Sequence, residues 1–176
     1  MQLLRPLFYC AMIGAAVLIS SCVNPAYEQR LEASEKSMYP IHRQAMTWGQ
    51  IRTYLAKATA DERAAYLDQI GITQRFQALS PEDRQAVLAR HPREGMSADA
   101  MRFLWGEPND TRGSQKHYAY WYYWGSTLSL TERGNDSSYQ GTLVEVYLVD
   151  NRVVWWQERV PSGIEEGQDD KGDTRR

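Results

Sequence analysis

Residues 117–124 read His-Tyr-Ala-Tyr-Trp-Tyr-Tyr-Trp, and six of these eight are Tyr or Trp. Rings of this kind suit the pleated, half-buried surface of a sheet, so the run predicts a strand. Downstream, residues 143–149 and 152–160 form two further β-rich runs around Asp150-Asn151, a pair that tolerates the positive φ angles of a two-residue hairpin turn. A two-residue loop sets Val149 opposite Arg152, and carried along the ladder it sets Val146 opposite Trp155 and Glu145 opposite Trp156. One face then holds Val144, Val146, Leu148, Val153 and Trp155 and is assigned to the core. The other holds Glu145, Tyr147, Val154, Trp156 and Glu158, with aromatics among charges on the side away from any helix.

Upstream of the aromatic run the period is helical. Within residues 41–90, Met46, Ile51, Tyr54 and Leu55 recur at helical spacings, and Thr59 with Glu62 reads as a capping box opening a helix that Gly71 closes. Ser80-Pro81-Glu82-Asp83 sets a capping hydroxyl, a first-turn proline and two acids at the start of another helix, which His91-Pro92 stops. Gly95-Met96-Ser97 then introduces a helix through Met101, Phe103 and Leu104, with Ser97 as the cap and Gly106 expected in the left-handed exit conformation. Glu107-Pro108-Asn109-Asp110 reads as a turn, and 131–141, rich in Ser, Asn, Asp and Gly, as a loop.

The string Gly95-Met96-Ser97, Met101, Leu104, Gly106 and Pro108, followed by Trp121-Tyr122 and the closing hairpin, resembles the SmpA/OmlA (BamE-like) outer-membrane lipoprotein family over roughly residues 80–160. The resemblance implies an α+β fold: two helices followed by a three-stranded antiparallel sheet in two layers. It also implies a non-enzymatic role in an envelope or outer-membrane protein complex. In this chain a helical extension over 41–79 precedes the matching region. Gly95, Ser97, Gly106 and Pro108 have structural duties in such a pattern, as turn, cap, exit and stop, so they speak for a fold more than for an activity.

The N-terminus carries a different message. Arg5 precedes an apolar run from Leu7 to Ile19, too short to span about 30 Å of hydrocarbon comfortably, and Ser20-Ser21-Cys22 follows. Residues 1–21 therefore read as a cleavable signal peptide. Ile19-Ser20-Ser21-Cys22 resembles the lipobox of bacterial lipoproteins, which implies that Cys22 is acylated, with palmitate-type chains, and becomes the first residue of the mature protein. Two or more chains anchor stably where one does not. Val23 stands where such lipoproteins carry an Asp for inner-membrane retention, which favours the outer membrane with a periplasmic body. Residues 22–40 are read as a tether, helical in part around 28–36, and 161–176 as a charged, Gly-rich disordered tail.

The mature chain keeps one cysteine, so neither an internal disulfide nor a cysteine metal site is available to it. It has 19 basic against 22 acidic side chains, a formal charge of −3, with no basic stripe for nucleic acid. His42, His91 and His117 lack metal-ligand spacing and fall in three different predicted elements. No catalytic set, metal site or cofactor motif is expected. A sheet this small cannot bury both faces behind two short helices. Either the helical extension covers the second face, or Tyr120, Tyr122, Tyr147 and Trp156 form a contact patch for a partner. The function expected is a lipid-anchored scaffold docking an envelope complex. The alternatives are a module whose aromatics stack on peptidoglycan sugars or another ligand, a protein inhibitor of an envelope enzyme, and, last, a hydrolase using Glu145 or Glu158.

Overall fold

A computed structural model describes residues 25–114, 117–135 and 141–159. Its class is α+β. The described elements, in chain order, are α1 (Pro25–Gln29), α2 (Ala33–Gln44), α3 (Trp48–Ala56), α4 (Ala60–Gln69), α5 (Ile72–Ala78), α6 (Pro81–Leu88), α7 (Ala98–Trp105), β1 (Asp110–Arg112), β2 (Tyr118–Trp124), α8 (Thr127–Arg133), β3 (Leu143–Val149) and β4 (Arg152–Arg159). The strands form one antiparallel sheet in the order β1-β2-β3-β4. The expected signal peptide, Cys22 and the tail from 161 onward lie outside the described residues, and no described helix is long and apolar enough to cross a membrane.

Local chemistry explains where the helices begin. Thr47, Thr59, Ser80, Ser97 and Ser126 each accept a backbone N–H from three residues on, and Thr47 and Thr59 complete reciprocal boxes with Gln50 and Glu62. Asp83 is buried almost completely and ties two helices together. Its carboxylate accepts from the Arg93 guanidinium at 2.6 Å and from the Ser97 backbone N–H at 3.1 Å, so α6 and the start of α7 share one anion.

The central helix is α7. Among its residues Ala98, Ala100, Met101, Phe103, Leu104 and Trp105 are buried, because helices cover one side of it and the sheet the other. Trp105 meets Tyr123 edge-on at 5.5 Å, and the Tyr123 hydroxyl donates to the Gly106 carbonyl at 3.2 Å. On the far side α2, α5 and α6 pack against α7, with Phe76 edge-on to Phe103 at 5.4 Å and Arg75 paired with Asp99.

The structure corrects the expected plan in five places. The sheet has four strands, not three: Asp110–Arg112, placed partly in the expected turn, pairs with Tyr120–Tyr122. Three exposed residues carry no alternation, so nothing in their pattern marks a strand. The stretch after Gly125 contains α8, capped by Ser126 and pinned by buried Leu130. The expected tether of 22–40 is largely folded, since α1 begins at Pro25 and α2 runs through Pro40. Pro40 removes one helix hydrogen bond, but burial of Tyr39 and Ile41 beside it keeps the helix intact. Gly106 has φ +88° and ψ −168°, an extended conformation reserved to glycine and not the left-handed helical one.

The fifth correction concerns the hairpin. Asp150 and Asn151 both have positive φ, Val149 pairs with Arg152, and Leu148 pairs with Val153. A bulge then intervenes, so that Tyr147 pairs with Trp155, Val146 with Trp156 and Glu145 with Gln157. Val154 is the extra residue, and each later side chain of β4 moves to the opposite face.

Candidate functional site

The helices cover the sheet face that carries Ala119, Trp121, Tyr123, Val144, Val146, Leu148 and Val153, all of them buried. Trp156, set opposite Val146, packs against this core. The other face carries Tyr118, Tyr120 and Tyr122 of β2, Glu145 and Tyr147 of β3, and Trp155 and Gln157 of β4. The extension does not cover it: α2 and α5 lie on α7, and the rings of this second face stay half-buried or exposed while the side chains of the first face are buried.

The rings on the open face form a connected set. Tyr120 and Tyr147 sit with centroids 4.8 Å apart and planes tilted by 32°, and Tyr147 and Trp155 at 5.5 Å with the same tilt. Tyr118 meets Tyr120 edge-on at 6.3 Å and is 45% exposed. Tyr120, Tyr147 and Trp155 are half-buried by one another, which is how a small face of rings keeps order without a covering layer.

Beside the rings is a polar cluster. Glu145 is buried on this face and accepts from the Tyr122 hydroxyl at 3.2 Å, the Gln157 amide at 3.0 Å and the Arg159 guanidinium at 2.9 Å. Arg112 lies over the Tyr122 ring at 5.3 Å. Burial, followed by the neighbouring Glu145 charge, raises the Tyr122 hydroxyl above its ordinary pKa, so it remains a donor at neutral pH. The face thus pairs an aromatic half with a satisfied, charge-bearing half.

Of the expected patch, Tyr120, Tyr122 and Tyr147 are brought together on the open face. Trp156 is not, because the bulge turns it to the core and puts Trp155 in its place. Trp155 and Tyr118 complete the patch and were missed. Val153-Val154-Trp155-Trp156 has no polar alternation that would expose a one-residue slip, whereas Tyr118 was legible from its alternation with Tyr120 and Tyr122.

Gly95, Ser97, Gly106 and Pro108 are distant in role from the patch. Gly95 donates to the Val153 carbonyl at 2.7 Å, Val153 donates to the Met96 carbonyl at 2.8 Å, and Ala98 donates to the Asn151 carbonyl at 2.8 Å. Residues 95–98 therefore pair with the first part of β4 and fix α7 against the hairpin. His42 is edge-on to Phe76 at 6.0 Å, and burial lowers its pKa, while His91 and His117 are exposed outside the helices and strands. Glu145 and Glu158 point to opposite faces, and Glu158 accepts the Thr127 N–H at the start of α8. No family model matches the chain, and no curated protein or solved structure matches it significantly.

Proposed function

We propose that this protein is a lipid-anchored envelope protein, held at the outer membrane by acylated Cys22, that docks a partner protein of an envelope complex through the open face of its sheet. The observation that carries this reading is the connected set Tyr118, Tyr120, Tyr147 and Trp155 on a face no described helix covers. Large rings at a packed, ordered surface with a polar margin are the composition of a binding hot spot. The lipobox-like Ile19-Ser20-Ser21-Cys22 supports the anchor, and the resemblance of residues 80–160 to the SmpA/OmlA (BamE-like) family supports an accessory role in outer-membrane assembly or envelope integrity.

A protein partner fits better than a peptidoglycan sugar. Sugars stack on free ring faces, and here Tyr120, Tyr147 and Trp155 turn much of theirs toward one another at 4.8 and 5.5 Å. A photo-crosslinking residue at position 118, in cells grown to mid-log phase, should give one discrete protein adduct that disappears with Tyr147→Ala and Trp155→Ala combined. Absence of any adduct, or co-sedimentation with purified sacculi instead, would refute protein docking.

A further inference from the structure

Folding of the residues expected to be a tether has a mechanical consequence at the membrane. A leash spanning 22–40 would reach some 60 Å when extended, enough for the body to roam. Yet α1 begins at Pro25, three residues from Cys22, and three residues extend at most about 10 Å. The short helix is itself fastened to the body: α1 packs on α3, and the Tyr39 hydroxyl donates to Glu28 at 3.1 Å.

We infer that the surface formed by α1 with Arg30 just after it, the end of α2 and the start of α3, bearing Tyr27, Arg30, Arg43 and Trp48, rests in the phospholipid headgroup layer. The inference relies on the anchor reading above and adds to it which side of the body faces the bilayer. The headgroup region is about 5–7 Å deep on each side of the hydrocarbon. An acylated cysteine lies at that level, so all five residues of α1 are held within reach of it.

The side chains there suit the position. Tyr27 and Trp48 are each 42% exposed, although both are large and amphipathic. Rings of these two types are favoured at the headgroup level, where an apolar body and a polar tip are both satisfied. The Arg30 guanidinium lies 5.7 Å above the Tyr27 ring, and Arg43, half-exposed, holds Glu28 only loosely at 3.9 Å. Both cations are available to lipid phosphates. Trp48, Arg43 and Glu28 line one open groove of about 840 Å³, which places the start of α3 on the same side as α1.

The test uses the full acylated chain in vesicles of phosphatidylethanolamine and phosphatidylglycerol, with mass spectrometry to establish the state of Cys22. Spin labels are placed singly at positions 27, 48 and, as a control on the open sheet face beyond α7, 118, where Tyr118 is exposed. Expected is a several-fold fall in collision with a water-soluble relaxation agent at 27 and 48 on vesicle binding, with 118 unchanged. Acylated protein whose labels at 27 and 48 stay as accessible as at 118 overturns the orientation while leaving the anchor standing. An unmodified Cys22 overturns the anchor and this inference together. A spacer of about 15 flexible residues between Asn24 and Pro25 should weaken the protection at 27 and 48, and protection undiminished by the spacer would also count against the short leash as its cause.

Discussion

Arg63 is almost fully buried, and its guanidinium grips both Glu35 oxygens, at 2.6 and 2.7 Å, while donating to the Lys57 carbonyl. The Glu32 backbone N–H and the Tyr54 hydroxyl add two further hydrogen bonds to Glu35, at 2.9 and 3.3 Å. The Arg63 hydrogen bonds hold the Glu35 carboxyl below its usual range against the opposing effect of burial. A depressed carboxylate contributes stability that is present above its unfolded value, about 4.3, and is lost as pH falls through the folded value. Glu35→Gln should therefore be less stable at pH 7 yet show a shallower loss below about pH 4, read by urea unfolding at several pH values. Arg63→Ala leaves a carboxylate without its partner and should cost about 3 kcal/mol. At Gly106 the backbone is extended with positive φ, and a methyl group added there would touch the Gln44 carbonyl. Gly106→Ala should cost about 1–3 kcal/mol by thermal melting, chiefly through backbone strain.

The element that sets the candidate patch is β4. Its first residues pair with 95–98, and its bulge decides which tryptophan looks outward. Trp156→Ala removes a ring packed on the core and should destabilise by about 2–4 kcal/mol. Trp155→Ala removes a ring from the open face and should cost under about 1.5 kcal/mol while reducing partner capture strongly. The reverse pattern would mean the unbulged register. Deleting the extra residue Val154 would regularise the strand with Trp155 still opposite Tyr147 and Trp156 still opposite Val146, so that variant should keep both faces and melt above Trp156→Ala.

For the molecule as a whole, the folded part of the expected tether and the extension together form a third layer on the back of α7 and leave the sheet's second face uncovered among the described residues. The layer is integral to the fold. Leu31, Tyr39 and Ile41 are buried, and each contributes about 1.5–3 kcal/mol. Set against a total of about 5–15 kcal/mol for an ordinary domain, deleting 25–44 should leave a chain without a cooperative melting transition by circular dichroism. Removal of a true tether would leave the transition in place.

The strands at 118–124 and 143–149, the hairpin turn and the caps at Thr59, Ser80 and Ser97 were legible from residue types alone. Each depends on neighbours within a few positions: a positive φ, a hydroxyl three residues from an orphan N–H, a run of rings. The α+β class followed from the change of period. What only the tertiary structure decided was everything set by packing between segments distant in sequence. The β4 bulge lies next to the residues that pair with 95–98 on one edge and with β3 on the other, β1 exists because β2 offers an edge, and α2 survives Pro40 because α7 lies beneath it. The outward face of Trp155, and with it the candidate site, belongs to this second kind, since a one-residue slip leaves no trace in an unbroken apolar run.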